Sequence, residues 1–201
     1  MKEKNMRART WTALLWGIAW GITEATLGHL LHAVKIPGLA GFIMFPVAVF
    51  FMLRVYFATN RMSLILWTSC MAAGFKALDI FIIPFDVLSA LNPALAILSE
   101  SLALVLFLAF FHKRSIQNFF SLFFLAIGWK FIYTAFLTVF RQLYAADNFL
   151  YLSLNHVFHF FLVDSLVSSA LIFLFFKIPP FSTEWHRMTL EQRGISSYSS
   201  H

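Results

Sequence analysis

The chain has 201 residues, of which 60% are hydrophobic and only 12% are charged, and its mean hydropathy is +0.78. Because soluble domains carry about 25% charged residues, these values exclude a protein that is surrounded by water on all sides. The single cysteine, Cys70, excludes an internal disulfide framework. We therefore predict an integral membrane protein.

Six stretches of low charge are long enough to cross a membrane as helices, since a spanning helix needs about 17 to 25 apolar residues. The period-two alternation of an outer-membrane barrel is absent. The predicted fold is therefore all-α with six transmembrane helices. In chain order, the predicted spans are 10–32, 38–56, 63–83, 89–111, 118–140 and 156–177.

Lysine and arginine positions predict the orientation of the spans, because cytoplasmic loops are enriched in these residues. The predicted cytoplasmic side holds Lys2, Lys4, Arg7, Arg9, Arg54, Arg61, Lys113, Arg114, Lys177, Arg187 and Arg193. The opposite side holds Lys35 and Arg141. Residues 1–177 are thus predicted to form a transmembrane domain in the cytoplasmic membrane, with both ends inside the cell, and residues 178–201 a short polar cytoplasmic tail. The net charge of +6 then lies mostly beside lipid head groups and does not indicate nucleic-acid binding.

The first span carries small residues at every fourth position, namely Ala13, Gly17, Gly21 and Ala25. Such a stripe allows a second helix to approach closely. That helix belongs either to the same chain or to a separate membrane subunit, and the sequence leaves both alternatives open.

Ionisable side chains inside the spans are the strongest functional signal, since each is costly in hydrocarbon and normally faces a protein interior or a wet cavity. Counted at about 1.5 Å per residue, five of them lie at a similar depth, roughly 12 to 16 Å from the outer ends of their helices. These five residues, called here the polar layer, are Glu24, Lys76, Glu100, Lys130 and Asp164. Nearer the outside come Asp79, His29, His32, Asn92, Asn155, His156 and His159. We predict a polar cavity that opens outward.

Two roles are open for the polar layer. The lysines can pair with acids and hold the bundle together. Three acids against two lysines leave one negative charge, and Asp79 adds another, which favours a cationic or hydrogen-bond-donating solute, or a proton. The candidate substrate-binding residues are Glu24, Lys76, Asp79, Asn92, Glu100, Lys130, His156, His159 and Asp164. Trp67, Trp129 and Tyr133 are candidate stacking surfaces for a ring.

Metal or haem binding is the main alternative. His29 and His32, like His156 and His159, are three residues apart and so lie on adjoining turns of a helix, and four histidines near one membrane face can bind a transition metal or a haem. A third hypothesis is an intramembrane enzyme that acts on lipid or isoprenoid, although the sequence contains no Gly-x-Ser-x-Gly motif. The phosphate-binding loop Gly-x-x-x-x-Gly-Lys-Ser/Thr does not occur either, so we expect no ATP hydrolysis by this chain. We predict no catalytic residue and no resident cofactor.

Together these features resemble the substrate-binding S components of energy-coupling factor (ECF) transporters. The resemblance rests on the chain length, the six predicted helices with cytoplasmic ends, and the stripe Ala13-x-x-x-Gly17-x-x-x-Gly21-x-x-x-Ala25. It implies a subunit that binds a vitamin-like solute from outside. It also implies that the stripe docks on a transmembrane coupling subunit, and that partner ATPases supply the energy.

Overall fold

The computed structural model describes residues 2–34, 36, 39–78, 87–111, 118–144, 157–178 and 183. These residues are almost entirely helical and contain no β-strand, so the predicted all-α class is confirmed. The helices are α1 (Lys2–Thr23), α2 (His29–Ala33), α3 (Leu39–Thr59), α4 (Met62–Ala77), α5 (Val87–Phe110), α6 (Phe119–Tyr144) and α7 (Asp164–Phe175).

Two π-helical turns adjoin these helices. The first, Glu24–Gly28, joins α1 to α2, and the second, His159–Val163, leads into α7. The residues that flank each turn keep right-handed helical dihedrals, so the chain continues as a helix on both sides. A π turn leaves a local irregularity in the carbonyl ladder and is often found at functional sites. Here the first turn begins with Glu24, and Asp164 directly follows the second.

Within the described ranges, three helices are long and apolar enough to cross a membrane: Leu39–Thr59, Leu91–Phe110 and Phe119–Val139. They coincide with the predicted spans 38–56, 89–111 and 118–140. Length and composition therefore support membrane association.

The other three predicted spans differ from the described helices. The first helix begins at Lys2, eight residues before the predicted span, so it includes Arg7 and Arg9. Described helix α4 has 16 residues, and positions 79–83 of its predicted span lie outside the described residues. The last helical stretch, His159–Phe175, is apolar but short.

The helices form a ring in the order α1, α4, α5, α6, α7 and α3, with α3 closing the ring against α1. Helix α3 also contacts α4 and α5, which makes it the most central element. Its Phe45, Met52 and Tyr56 are at most 1% exposed and form the core with Leu104 and Leu122. Helix α3 thus supplies much of the apolar core, and the buried charged side chains come from the other helical segments.

A two-residue connection joins α3 to α4 at Asn60 and Arg61. Asn60 has a φ of 52°, in the left-handed region that asparagine tolerates better than most residues, and its N–H donates to the Tyr56 carbonyl at 2.7 Å. This turn reverses the chain, so that α4 runs antiparallel to α3.

Candidate functional site

A cavity of about 500 Å³ lies between α3, α5 and α6 on one hand and the two ends of the chain's helices on the other. The first helical segment, which is α1 with the first π turn and α2, contributes Glu24 and Leu31. The last helical segment, which is the second π turn with α7, contributes Phe160 and Asp164. Small-molecule sites in proteins commonly enclose about 300 to 1,000 Å³. At one end, the lining includes Ile36, Ala40 and Asn92, close to where α3 and α5 begin. From there the cavity extends to the polar layer, as the sequence predicted.

Three carboxyl groups of the polar layer line this cavity. Glu24, Glu100 and Asp164 are each between 5% and 7% exposed, and they come from three different helical segments. Their similar depth along the helices explains why the fold brings them together. These three predicted site residues thus line one cavity, and their role in binding a solute stays a prediction.

Lys130 is buried beside Asp164. Its Nζ lies 4.0 Å from Asp164 Oδ2 and donates a hydrogen bond to the backbone carbonyl of Phe160, in the second π turn. The same ammonium lies 4.8 Å from the centre of the Phe160 ring and 5.7 Å from that of Trp129. The predicted pairing of a lysine with an acid is therefore confirmed for Lys130, which also ties α6 to the last helical segment.

Glu24 is held by its own helix. Trp20 Nε1 donates to Glu24 Oε1 at 3.2 Å, and Trp20 is completely buried. Gly28 faces the other carboxylate oxygen, since a Cβ added there would lie 3.6 Å from Glu24 Oε2. Lys76 is also buried and its charge acts favourably on Glu24, while its Nζ lies 3.5 Å from His29 Nδ1.

Glu100 differs from the other two acids. Its Oε2 is buried without a hydrogen-bond partner among the described residues, and its charge interacts unfavourably with that of Glu24. Trp129 Nε1, on another residue of the lining, is buried in the same unpartnered state. Buried polar atoms nearly always have a partner, so these two atoms are exceptions within the described residues, and both belong to side chains of the cavity lining.

One side of the cavity is aromatic. The ring of Trp129 lies 5.9 Å from that of Tyr133, 6.1 Å from that of Phe160 and 5.3 Å from that of Phe45. The Tyr133 hydroxyl donates to Asn92 Oδ1 and so links α6 to α5. The prediction of Trp129 and Tyr133 as ring surfaces agrees with their position in the lining.

Other predicted site residues lie elsewhere. Trp67 is 68% exposed on the outside of α4, so its proposed stacking role is wrong. Lys76 is buried next to the cavity rather than in its lining, and His159 is exposed, although its charge acts on Asp164. Asp79 and His156 lie outside the described residues.

Sequence reasoning missed Trp20 and Phe160. The spacing of Trp20 and Glu24 could have indicated their contact, because residues four apart in a helix lie on the same face and can hydrogen-bond. Phe160 had none, since it is one of 26 phenylalanines and nothing in the sequence distinguishes the few that line a cavity.

The small-residue stripe lies against α4 of the same chain. A Cβ added at Gly17 would lie 2.9 Å from Met71 Cβ, and one at Gly21 would lie 2.8 Å from Phe75 Cβ. Both distances are shorter than side-chain contacts allow, so the glycines permit the close approach of the two helices. The order of the contacts shows that α1 and α4 run parallel.

A hydrogen bond from Thr68 Oγ1 to the Ala13 carbonyl, 3.2 Å long, joins the same two helices. Ala13 is 3% exposed, and Ala25 is half-buried at the end of the stripe. Of the two alternatives for this stripe, the contacts favour packing within the chain. These contacts argue against the predicted docking of a partner on Ala13, Gly17, Gly21 and Ala25.

The histidines do not form a metal centre in the described part of the chain. No group of three or more histidine, cysteine, aspartate or glutamate side chains there is arranged to hold a metal ion. His29 and His159 are exposed, whereas His156 and the side chain of His32 lie outside the described set. The haem or metal hypothesis thus gains no support.

Comparison of the chain with known protein families, curated proteins and solved structures found no match. Any function must therefore be argued from the cavity, its charges and its shape. The resemblance to ECF S components remains a likeness of predicted architecture.

Proposed function

We propose that this chain is the solute-binding subunit of an uptake transporter, embedded in the lipid of the cytoplasmic membrane. It crosses the membrane six times, with both ends in the cytoplasm. The observation that carries the proposal is the cavity of about 500 Å³ lined by Glu24, Glu100 and Asp164. Buried carboxyls are costly inside an apolar bundle, so several of them around one space indicate a binding site rather than a packing defect.

The proposed orientation agrees with the arrangement of the helices. Helices α1 and α4 are parallel, as the first and third spans of a serpentine chain have to be. The end where α1 begins and α3 ends carries Arg7, Arg9, Arg54 and Arg61, which accords with a cytoplasmic side. The cavity extends from the opposite end and is therefore accessible from outside the cell.

A transmembrane coupling subunit and ATPases complete the proposed transporter. These partners are proposed because the sequence has no phosphate-binding loop and resembles subunits that depend on such partners. Since the small-residue stripe packs on α4, the contact with a coupling subunit has to use another surface.

Purification from the native host tests the proposal. The tagged chain should fractionate with membranes and carry a small molecule, a membrane subunit and an ATPase, all identified by mass spectrometry. An unrelated multi-span protein with the same tag serves as the control. If no small molecule is enriched over that control, the binding function fails, and if no ATPase is enriched, the coupled mechanism fails.

A further inference from the structure

The acids around the cavity have different charged neighbours: Asp164 and Glu24 interact with lysines, whereas Glu100 interacts with an acid. Asp164 lies 4.0 Å from the Lys130 ammonium. The charge of Glu24 is partly offset by Lys76. Glu100, in contrast, interacts with the like charge of Glu24. Within the polar layer, Glu100 is therefore the acid on which another acid acts, and a cation bound beside its carboxylate would offset that repulsion.

Glu100 also has an unfilled hydrogen-bonding position. Its side chain lines the cavity, the residue is only 5% exposed, and Oε2 has no partner within the described part of the chain. An ionised carboxylate accepts hydrogen bonds and donates none. A group that completes this position beside the carboxylate therefore brings an N–H or O–H donor, and a positively charged donor also offsets the repulsion from Glu24.

The aromatic side of the same cavity limits the shape of the bound molecule. Trp129, Tyr133 and Phe160 contribute their rings to the lining, with centroids of neighbouring rings about 6 Å apart. Aromatic side chains bind planar rings by offset stacking or edge-to-face contact. A flat molecule can thus contact this side while its polar end reaches Glu100.

The geometry points to a planar organic cation as the solute, with its charged N–H group at Glu100 and its ring against Trp129 and Tyr133. Amidinium groups and protonated amino-heterocycles belong to this class. The inference rests on the proposed solute-binding function and adds its substrate class. An anionic solute is disfavoured, because the ammonium of Lys130 is already engaged by Asp164 and the Phe160 carbonyl.

Three probes of one shape and different charge test the inference on the purified full-length chain. Benzamidine is a planar cation at neutral pH, benzamide is neutral and benzoate is an anion. Calorimetric titration should show saturable binding of benzamidine, at least tenfold weaker binding of benzamide and none of benzoate. Equal binding of benzamidine and benzamide, or preference for benzoate, overturns the inference.

Glu100→Gln tests the assigned residue. The substitution should weaken benzamidine binding by about 10- to 100-fold, as expected for a hydrogen bond to a charged group, and change benzamide binding little. Ser99→Ala is the matched control, because Ser99 directly precedes Glu100 and its buried hydroxyl donates to the Leu95 carbonyl of the same helix. This variant should bind both probes normally. Unchanged benzamidine affinity in Glu100→Gln removes Glu100 from the site.

Failure of the cation inference and failure of the proposed solute binding give different experimental results. If a native small molecule is released from the protein but benzamidine does not bind, the cation inference is wrong and solute binding stands. If neither a native molecule nor any probe binds, both are wrong.

Discussion

Trp20 Nε1 donates a hydrogen bond to Glu24 Oε1 across the junction of α1 with the first π turn, at 3.2 Å. This bond fixes the carboxyl of Glu24 at the cavity without using its second oxygen, which lies beside Gly28. Trp20, four residues earlier in the same helical segment, therefore positions the cavity residue Glu24. One carboxylate oxygen of Glu24 thus has a role in the fold, and the other is left for contact with a solute.

Glu24→Gln should leave the fold nearly unchanged, because the amide oxygen still accepts the Trp20 hydrogen bond. Affinity for the solute should fall by about 1.5 to 3 kcal/mol, the value of a hydrogen bond to a charged group. Melting temperature and solute affinity are measured on the same preparation. A large loss of stability with normal affinity would instead make Glu24 the structural counter-charge of Lys76.

Lys130→Met should destabilise the protein by about 3 to 5 kcal/mol, because it leaves the buried Asp164 carboxyl without its cation. The Phe160 carbonyl also loses its donor. The double variant Lys130→Met/Asp164→Asn should recover part of this loss, since no buried charge is then left alone. The free energy of unfolding in detergent is the measurement.

Lys177→Met is the control for Lys130→Met. Lys177 is exposed and its ammonium lies 5.2 Å from the centre of the Phe173 ring. Removing an exposed charge of this kind should cost less than about 1 kcal/mol. Equal effects of the two substitutions would show that the Lys130 contacts contribute little.

Gly21→Ala should destabilise the bundle by about 1 to 3 kcal/mol, the usual cost of overpacking a well-packed contact. The added methyl group would lie 2.8 Å from Phe75 Cβ, so α1 and α4 have to move apart. Gly74→Ala is the matched control, because a Cβ at Gly74 meets no neighbouring atom within 4 Å. A helical alanine should be neutral or slightly stabilising there. Equal melting temperatures for the two variants would contradict the close packing of the stripe.

The proposed orientation predicts which sites react with a membrane-impermeant thiol reagent in intact cells. In a Cys70→Ser background, Asn60→Cys should resist the reagent and Lys35→Cys should react. The first position connects α3 to α4, and the second precedes the predicted span 38–56. Labelling of Asn60→Cys from outside would reverse the orientation.

The depth of the polar layer could be predicted from the sequence because the rise of an α-helix per residue is constant. Counting from helix ends was sufficient to place Glu24, Glu100 and Asp164 at one level. The sequence did not fix the rotation of each helix about its axis. For that reason Lys76 was assigned to the cavity lining, and Trp67, on the outside of α4, was given a stacking role.

Two features could not be predicted from the sequence, for different reasons: the two π turns, and the helix against which the small-residue stripe packs. A π turn depends on local competition between hydrogen-bonding patterns, and neither Glu24–Gly28 nor His159–Val163 has a distinctive composition. Small residues permit close helix packing whether the neighbour is in the same chain or another one. Only the tertiary contacts of Gly17 and Gly21 distinguish these cases.

The cavity can be filled with little disturbance of the helices around it. Gly41 lines the cavity, and a Cβ at this position meets no neighbouring atom within 4 Å. Gly41→Phe should therefore place its ring in the space that a solute needs. Gly74→Phe is the matched control, since Gly74 has similar free space but is exposed on α4 away from the cavity.

Release of bound small molecules on denaturation, measured by mass spectrometry, tests solute binding in the cavity most directly. The wild-type chain and Gly74→Phe should each release the same compound in proportion to protein, and folded Gly41→Phe should release none. Equal release from all three proteins, or no enriched compound from the wild-type chain, would contradict solute binding in this cavity.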